Sequence, residues 1–188
     1  MVAPDDERIE TLMVALTPNL RAFARSLCGN PDHADDLVQD TLVKAWKHQS
    51  SFAKGSNLKA WLFTILRNSF LSERRKRKME IEDRDGRLAE RLSVQAEQPG
   101  HMDFKDFEIA LAKLPADQRE ALILIGAEGF AYEEAALMCG CAVGTMKSRV
   151  NRARNKLADV MGIAATSEFG SDTFPMPSSQ MAAQKRDS

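Results

Sequence analysis

Cysteine and histidine are scarce in this chain, and each shortage removes a class of function. Three cysteines in 188 residues are an odd number, and no signal peptide precedes them, so reduced thiols in the cytoplasm are expected rather than a disulfide framework. Cys139 and Cys141 flank Gly140, with Cys28 and His33 far off in sequence. Structural zinc wants four well-placed ligands, usually two spaced pairs, and this spacing offers none. No metal or cofactor is expected. The three histidines lie scattered at 33, 48 and 101, and no Ser/His/Asp or paired-carboxylate arrangement falls at a useful spacing, so no catalysis is expected of the chain alone. No apolar run approaches the roughly 20 residues of a membrane span. A formal net charge of −1 lacks the excess that would announce a nucleic-acid partner.

The distribution of charge says otherwise. Positive charge gathers in residues 67–78 and 147–156, separated by acidic sequence. Residues 132–157 read as a helix-turn-helix. A short amphipathic helix from Tyr132 to Met138 stops at Gly140, where a residue without Cβ takes a left-handed conformation easily. A second helix, starting near Gly144 or Thr145, carries Met146, Val150, Ala153 and Leu157 as one apolar stripe. Its other faces carry Lys147, Ser148, Arg149, Asn151, Arg152, Arg154 and Lys156, and residues 140–156 hold no carboxylate. That asymmetry fits a recognition helix approaching phosphates and base edges; the plain alternative is a solvated basic face.

From Ile9 to Leu27 the positions Leu12, Leu16, Leu20, Phe23, Ala24 and Leu27 keep helical spacing, with residues 1–7 frayed before them. Pro18 predicts a break, with a second helix starting near it. Asn30-Pro31-Asp32 predicts a helix start, by cap, first-turn proline and dipole. That helix runs to about His48, with Ala34, Leu37, Val38, Thr41, Leu42, Ala45 and Trp46 inward and Asp32, Asp35, Asp36, Gln39, Asp40 and Val43 outward. Residues 49–57 form a loop with an exposed-looking Phe52. A third helix, residues 58–77, turns Leu58, Trp61, Leu62, Ile65, Leu66 and Ser69 inward. Thr64, Arg67, Asn68, Leu71 and Arg75 share its other side, and residues 74–78 are all basic. Both tryptophans thus read as packing.

Residues 79–101 lose periodicity and gather acid. Phe107, Leu111 and Leu114 then mark one helix, Pro115 opens another with Leu122, Ile123 and Ile125 buried, and Gly129 closes it. Ala131 occupies a capping position, although Glu134 stands where the reciprocal partner of a capping box belongs. The polar tail after 162 predicts disorder. The fold class is therefore all-α: two small helical domains, 9–78 and 104–162, each with its own core, joined by a flexible acidic linker, 79–103, and followed by a disordered tail, 163–188.

Four motifs in order carry a family resemblance: Asp-Asp-Leu-Val-Gln-Asp-Thr-Leu-Val-Lys-Ala-Trp (35–46), Asn-Leu-Lys-Ala-Trp-Leu-Phe-Thr-Ile-Leu-Arg-Asn (57–68), Leu-Pro-Ala-Asp-Gln-Arg-Glu-Ala-Leu (114–122) and Val-Gly-Thr-Met-Lys-Ser-Arg-Val-Asn-Arg-Ala-Arg (143–154). The chain resembles a bacterial extracytoplasmic-function sigma factor over about residues 10–162, with sequence details similar to the alphaproteobacterial general-stress-response type. The resemblance implies a subunit that brings core RNA polymerase to promoters under the control of a small anti-sigma factor. Asp35, Asp36, Gln39, Asp40 and Val43 would dock on the β′ clamp helices, and the second domain would reach the β flap. Phe52, Lys54, Gly55, Ser56, Asn57, Thr64, Arg67, Asn68, Arg74 and Arg75 would take the non-template strand of the −10 element, with one base flipped. Thr145, Lys147, Ser148, Arg149, Asn151, Arg152 and Arg154 would read and grip the −35 duplex. Two alternatives are a polymerase-independent helix-turn-helix regulator and a sigma-like adaptor that only sequesters an anti-sigma factor.

Overall fold

Apolar residues recur every three or four positions, and the architecture follows from that period. The computed structural model describes residues 4–53, 55–82 and 104–162, and every regular element among them is helical. The helices are α1 (Pro4–Cys28), α2 (Pro31–Lys47), α3 (Leu58–Glu82), α4 (Phe104–Ala112), α5 (Ala116–Leu122), α6 (Tyr132–Cys139) and α7 (Val143–Val160). A 3₁₀ turn, Gln49–Ser51, follows α2, and a π turn, Ile123–Ala127, continues α5. The expected tail and most of the expected linker, residues 83–103, lie outside the described residues, as do residues 1–3.

The break expected at Pro18 does not occur: α1 runs through it as one helix. Pro18 withholds an amide from the carbonyl of Val14, but both residues are exposed, so water can satisfy that oxygen. The helix also begins at Pro4, inside the stretch expected to fray. Met13 takes the buried place expected of Leu12. At the start of α2, Asn30 Oδ1 accepts the His33 amide at 3.1 Å, with Pro31 in the first turn. Ala34, Leu37, Val38, Thr41 and Ala45 are buried, but Trp46 is 51% exposed. At about 100° per residue, Ala34, Leu37, Val38, Thr41 and Ala45 fall within one arc about 100° wide, and Trp46 lies outside it. Helix α3 extends to Glu82, one turn beyond the expected end.

Helices α1, α2 and α3 pack on one another, and α5 and α6 pack on α7. Separate cores were expected, yet one continuous apolar cluster joins the two sets. Phe23 stacks on Phe63, centroids 4.9 Å apart, and the Phe63 ring meets Phe130 edge-on at 5.2 Å. Phe63 is fully buried on a side of α3 that the expected stripe had left outward.

Two further expectations shift in the second set. Phe107 is exposed, while Leu114 is buried as expected and Ala110 is buried with it. Leu124, not Ile125, is fully buried, because the π turn, closed by Glu128 N to Ile123 O at 2.9 Å, inserts an extra residue into the helical period. Gly140 ends α6 at φ 61° and ψ 40°. The bonds Cys141 N to Ala136 O and Gly140 N to Leu137 O close the turn in the Schellman pattern. Helix α7 then starts at Val143, slightly earlier than expected, with Met146, Val150 and Ala153 buried.

Candidate nucleic-acid interface

Of the expected contacts on α7, Thr145, Lys147, Asn151 and Arg152 are exposed, whereas Ser148, Arg149 and Arg154 are half-buried. The Lys147 ammonium lies 5.5 Å from the Tyr132 ring centre, and Arg149 Nε is 3.2 Å from Asp117 Oδ2. Asn151 Oδ1 accepts from Asn155 Nδ2 at 3.2 Å. Exposed positions therefore run along the helix from Gly144 to Val160, and its N-terminal end, beside α6, is the end a major groove admits. Glu134 makes half of a capping box. Its Oε2 accepts the Ala131 amide at 3.2 Å, but alanine has no acceptor to return.

On α2, Asp36 and Gln39 are exposed while two neighbours are held. Asp35 accepts from Arg21 Nε at 2.6 Å, and Asp40 pairs with Lys44 at 2.6 Å. Val43 and Trp46, each about half exposed, form an apolar strip beside these carboxylates. Such a surface fits a basic helical partner with its own apolar stripe.

The loop before α3 is tied to its own backbone. Gly55 has φ +88°, Ser56 Oγ donates to Ala53 O at 2.7 Å, and Asn57 Oδ1 accepts the Ala60 amide at 3.2 Å. Lys54 lies outside the described residues. Phe52, expected to be open, is half-buried against Trp61 at 5.2 Å, because a ring beside an indole gains more by covering apolar surface than by standing in water. The Thr64 hydroxyl turns back to Ala60 O at 2.8 Å. Asn68 is exposed at an open groove of about 430 Å³, lined also by Lys44, His48, Trp61 and Ser72. Lys44 Nζ donates to Ser69 Oγ at 2.9 Å at its edge. Arg74 and Arg75 are exposed, the former 5.8 Å from the Phe70 ring.

Arg67 points elsewhere. Its Nε donates to Glu120 Oε1 on α5 at 2.7 Å, both side chains largely buried. Two more contacts run beside it. Lys59 Nζ meets Glu128 Oε2 at 2.8 Å and Glu128 O at 2.7 Å, and Asn57 Nδ2 donates to Glu134 Oε1 at 2.8 Å. Asn19 on α1 adds a bond to Glu128 Oε2 at 3.0 Å. Burial opposes the Arg67 charge, but Glu120 outweighs it and holds the guanidinium above its usual value. Burial, reinforced by Glu120, pushes the neighbouring Cys139 thiol up to about 12. Lys59 and Lys44 were not among the expected site residues. Both stand within the quoted motifs, but their neighbours come from other elements.

Among the described residues no cluster of three or more histidine, cysteine or carboxylate side chains is placed to hold a metal ion, and no helix is long and apolar enough to cross a membrane.

Comparison with known proteins matches the two halves to separate family models: Sigma-70 region 2 over residues 12–80 and Sigma-70, region 4 over residues 106–157. The ECF RNA polymerase sigma factor EcfG of Rhodopseudomonas palustris (strain TIE-1) is 59% identical over 160 residues, 85% of this chain and 88% of that protein. Among solved structures, the sigma factor RpoE in complex with the anti-sigma factor NepR from Bartonella quintana is 55% identical, with a TM-score of 0.74 over 84% of this chain and 99% of that one. CnrH in complex with the cytosolic domain of CnrY is 26% identical, with a TM-score of 0.60, covering 85% and 91%.

Proposed function

This chain belongs to the extracytoplasmic-function RNA polymerase sigma factors, and from that premise we propose how its surfaces divide the work of promoter recognition. Residues 9–78 bind core polymerase and the −10 element, and residues 104–162 bind the −35 element. The chemistry of RNA synthesis belongs to the polymerase, so the chain acts in the cytoplasm as a specificity subunit and contributes no catalytic step.

The single observation that carries this division is the opposite chemistry of two exposed helix faces. The first turns of α7 offer Thr145, Lys147, Asn151 and Arg152, with Ser148, Arg149 and Arg154 beside them, to a −35 duplex. Amide and ammonium groups there read base edges, each good contact contributing about 1–3 kcal/mol of discrimination. On α2, Asp35, Asp36, Gln39, Asp40 and Val43 offer carboxylates around an apolar strip to the clamp helices of β′. Between these, Asn68 at the groove and the loop residues Phe52, Lys54, Gly55, Ser56 and Asn57 take the melted non-template strand, with Thr64, Arg67, Arg74 and Arg75 along its path. Phe52 must leave Trp61 or stack together with it to hold an unpaired base. The Bartonella quintana relative is seen with an anti-sigma factor, and a small inhibitor of that class is the proposed regulator here, within a general stress response.

Run-off transcription with purified core polymerase on a library of randomised −35 and −10 elements tests this. Enrichment of one two-part promoter only in the presence of the chain is expected. Failure to bind core overturns the assignment, and core binding without any transcript turns it toward an adaptor that sequesters an inhibitor.

A further inference from the structure

We infer that the free chain is closed on itself, with three carboxylates of the second half occupying the strand-binding face of the first. This rests on the functional reading above, because it needs Arg67 and Asn57 to belong to the −10 surface. Along α3 and its cap, Asn57, Lys59 and Arg67 meet Glu134, Glu128 and Glu120 in reverse sequence order, at 2.8, 2.8 and 2.7 Å. The pairs form an antiparallel ladder. Its two ion pairs are both largely dry: the Glu128 and Lys59 side chains are 5% and 26% exposed, the Glu120 and Arg67 side chains 11% and 15%. The Lys59 ammonium also lies 5.7 and 5.1 Å from the Phe63 and Phe130 ring centres, the two rings that join the cores.

Carboxylate on guanidinium or ammonium is the chemistry phosphate would use at the same groups. A strand cannot reach Arg67 while Glu120 holds it at hydrogen-bond distance. Geometry adds a second exclusion. The −35 and −10 elements lie about 25 base pairs apart, roughly 85 Å at 3.4 Å per base pair. Helix α7, at 18 residues, is only about 27 Å long at 1.5 Å per residue, and α6 beside it touches the α3 cap. The recognition helix and the −10 face cannot both engage a promoter until Glu120, Glu128 and Glu134 release α3. Opening exchanges carboxylates for phosphates at the same cations, which lets promoter and polymerase together drive it. The isolated chain meanwhile binds strand only through its open fraction, and its apparent affinity is reduced by that fraction.

The test uses the full chain with Glu120→Gln and Glu128→Gln combined, against Glu108→Gln with Glu133→Gln, two exposed sites that change the net charge equally. Small-angle scattering gives the radius of gyration. Fluorescence anisotropy gives the affinity for a labelled single-stranded DNA bearing the −10 sequence selected by transcription. The interface variant should expand and bind strand at least tenfold more tightly than its charge-matched control. Equal affinity of the two variants overturns the inference. Circular dichroism checks that helix is retained; if the interface variant unfolds, the unmutated chain decides. It must expand when saturated with strand, and binding without expansion overturns closure. Wild-type transcription with core separates the two layers. Loss of promoter-specific transcript sinks the functional reading and this inference together, whereas intact transcription with equal strand affinities sinks this inference alone.

Discussion

Replacing Phe130 by alanine should destabilise the half of the molecule in which it does not reside. The ring is 5% exposed, meets Phe63 edge-on at 5.2 Å and lies 5.1 Å from the Lys59 ammonium. A buried Phe→Ala change costs about 3–5 kcal/mol, through lost transfer energy and the cavity left behind. About 0.5–1.5 kcal/mol of that is the ring pair itself. Taking about 3 kcal/mol and a urea slope of about 2 kcal/mol per molar, the unfolding midpoint should fall by about 1.5 M. The assay uses an accident of composition: both tryptophans, Trp46 and Trp61, lie on α2 and α3, while Phe130 follows the π turn. Selective tryptophan fluorescence therefore reports only the first half, and circular dichroism reports all helices. If the core is continuous, both signals shift together by the full amount. A tryptophan midpoint that stays in place while the circular dichroism splits into two steps would refute the argument, because it would mean that the halves unfold independently in the free chain and that Phe63 draws no stability from Phe130.

Other expected outcomes follow from single contacts. Ala131→Ser supplies the missing half of the α6 capping box and should raise stability by about 1 kcal/mol, read as a higher melting temperature with −35 preference unchanged; an unaltered melting point would mean that the α6 N-terminus needs no acceptor there. Burial lifts the thiols of Cys28 and Cys139 from 9.0 to about 11 and about 12. Between pH 9 and those values the unfolded chain holds fewer protons at these sites than the folded one, so stability should fall as pH rises. Cys139→Ala should flatten that decline in a pH series of thermal melts, and a decline of undiminished slope would exclude the thiol as its source. Asn68→Ala removes the exposed amide at the groove and should reduce open-complex formation, measured by permanganate footprinting, while binding to core polymerase is retained; equal loss of both would refute a strand-reading role. Lys147→Ala should weaken selection at the −35 element in the transcription library, and an unchanged −35 consensus would remove that lysine from the reading set.

Much of the architecture was legible because its causes are local. The Asn30 cap, the Gly140 stop and the Met146, Val150 and Ala153 stripe each depend on residues a few positions apart, and the structure forms them as expected. The misses have physical causes of a different range. Pro18 was expected to break α1, but its orphaned carbonyl faces water, and packing of the helix against α2 and α3 outweighs one lost hydrogen bond. Trp46 carried the chemical signature of a core residue, yet its angular position is fixed by Ala45, and the three-helix set covers only one face of α2. The π turn displaced Leu124 and Ile125 by one place, which a helical period of 3.6 cannot anticipate.

The pairing between the halves was beyond any local rule. Asn57 and Glu134 are 77 residues apart, Lys59 and Glu128 are 69, and Arg67 and Glu120 are 53. Asn57 and Arg67 were read as groups suited to nucleic acid and Lys59 was not, and the chemistry that suits a cation or amide to phosphate also makes it a partner for carboxylates. The signal that existed was distributive: α7 is stripped of acid through residue 156, while Glu120, Glu128 and Glu134 gather on the segments preceding it. In an open chain those three glutamates would face water and repel an approaching strand. In the closed one Glu120 and Glu128 are largely buried, and Glu134 is held at the surface, against the groups that strand needs. The same charge pattern thus serves two states of one surface, and because screened contacts weaken with ionic strength, it is the desolvated pairs Lys59–Glu128 and Arg67–Glu120, with Phe63 and Phe130, that set how firmly the free chain stays shut.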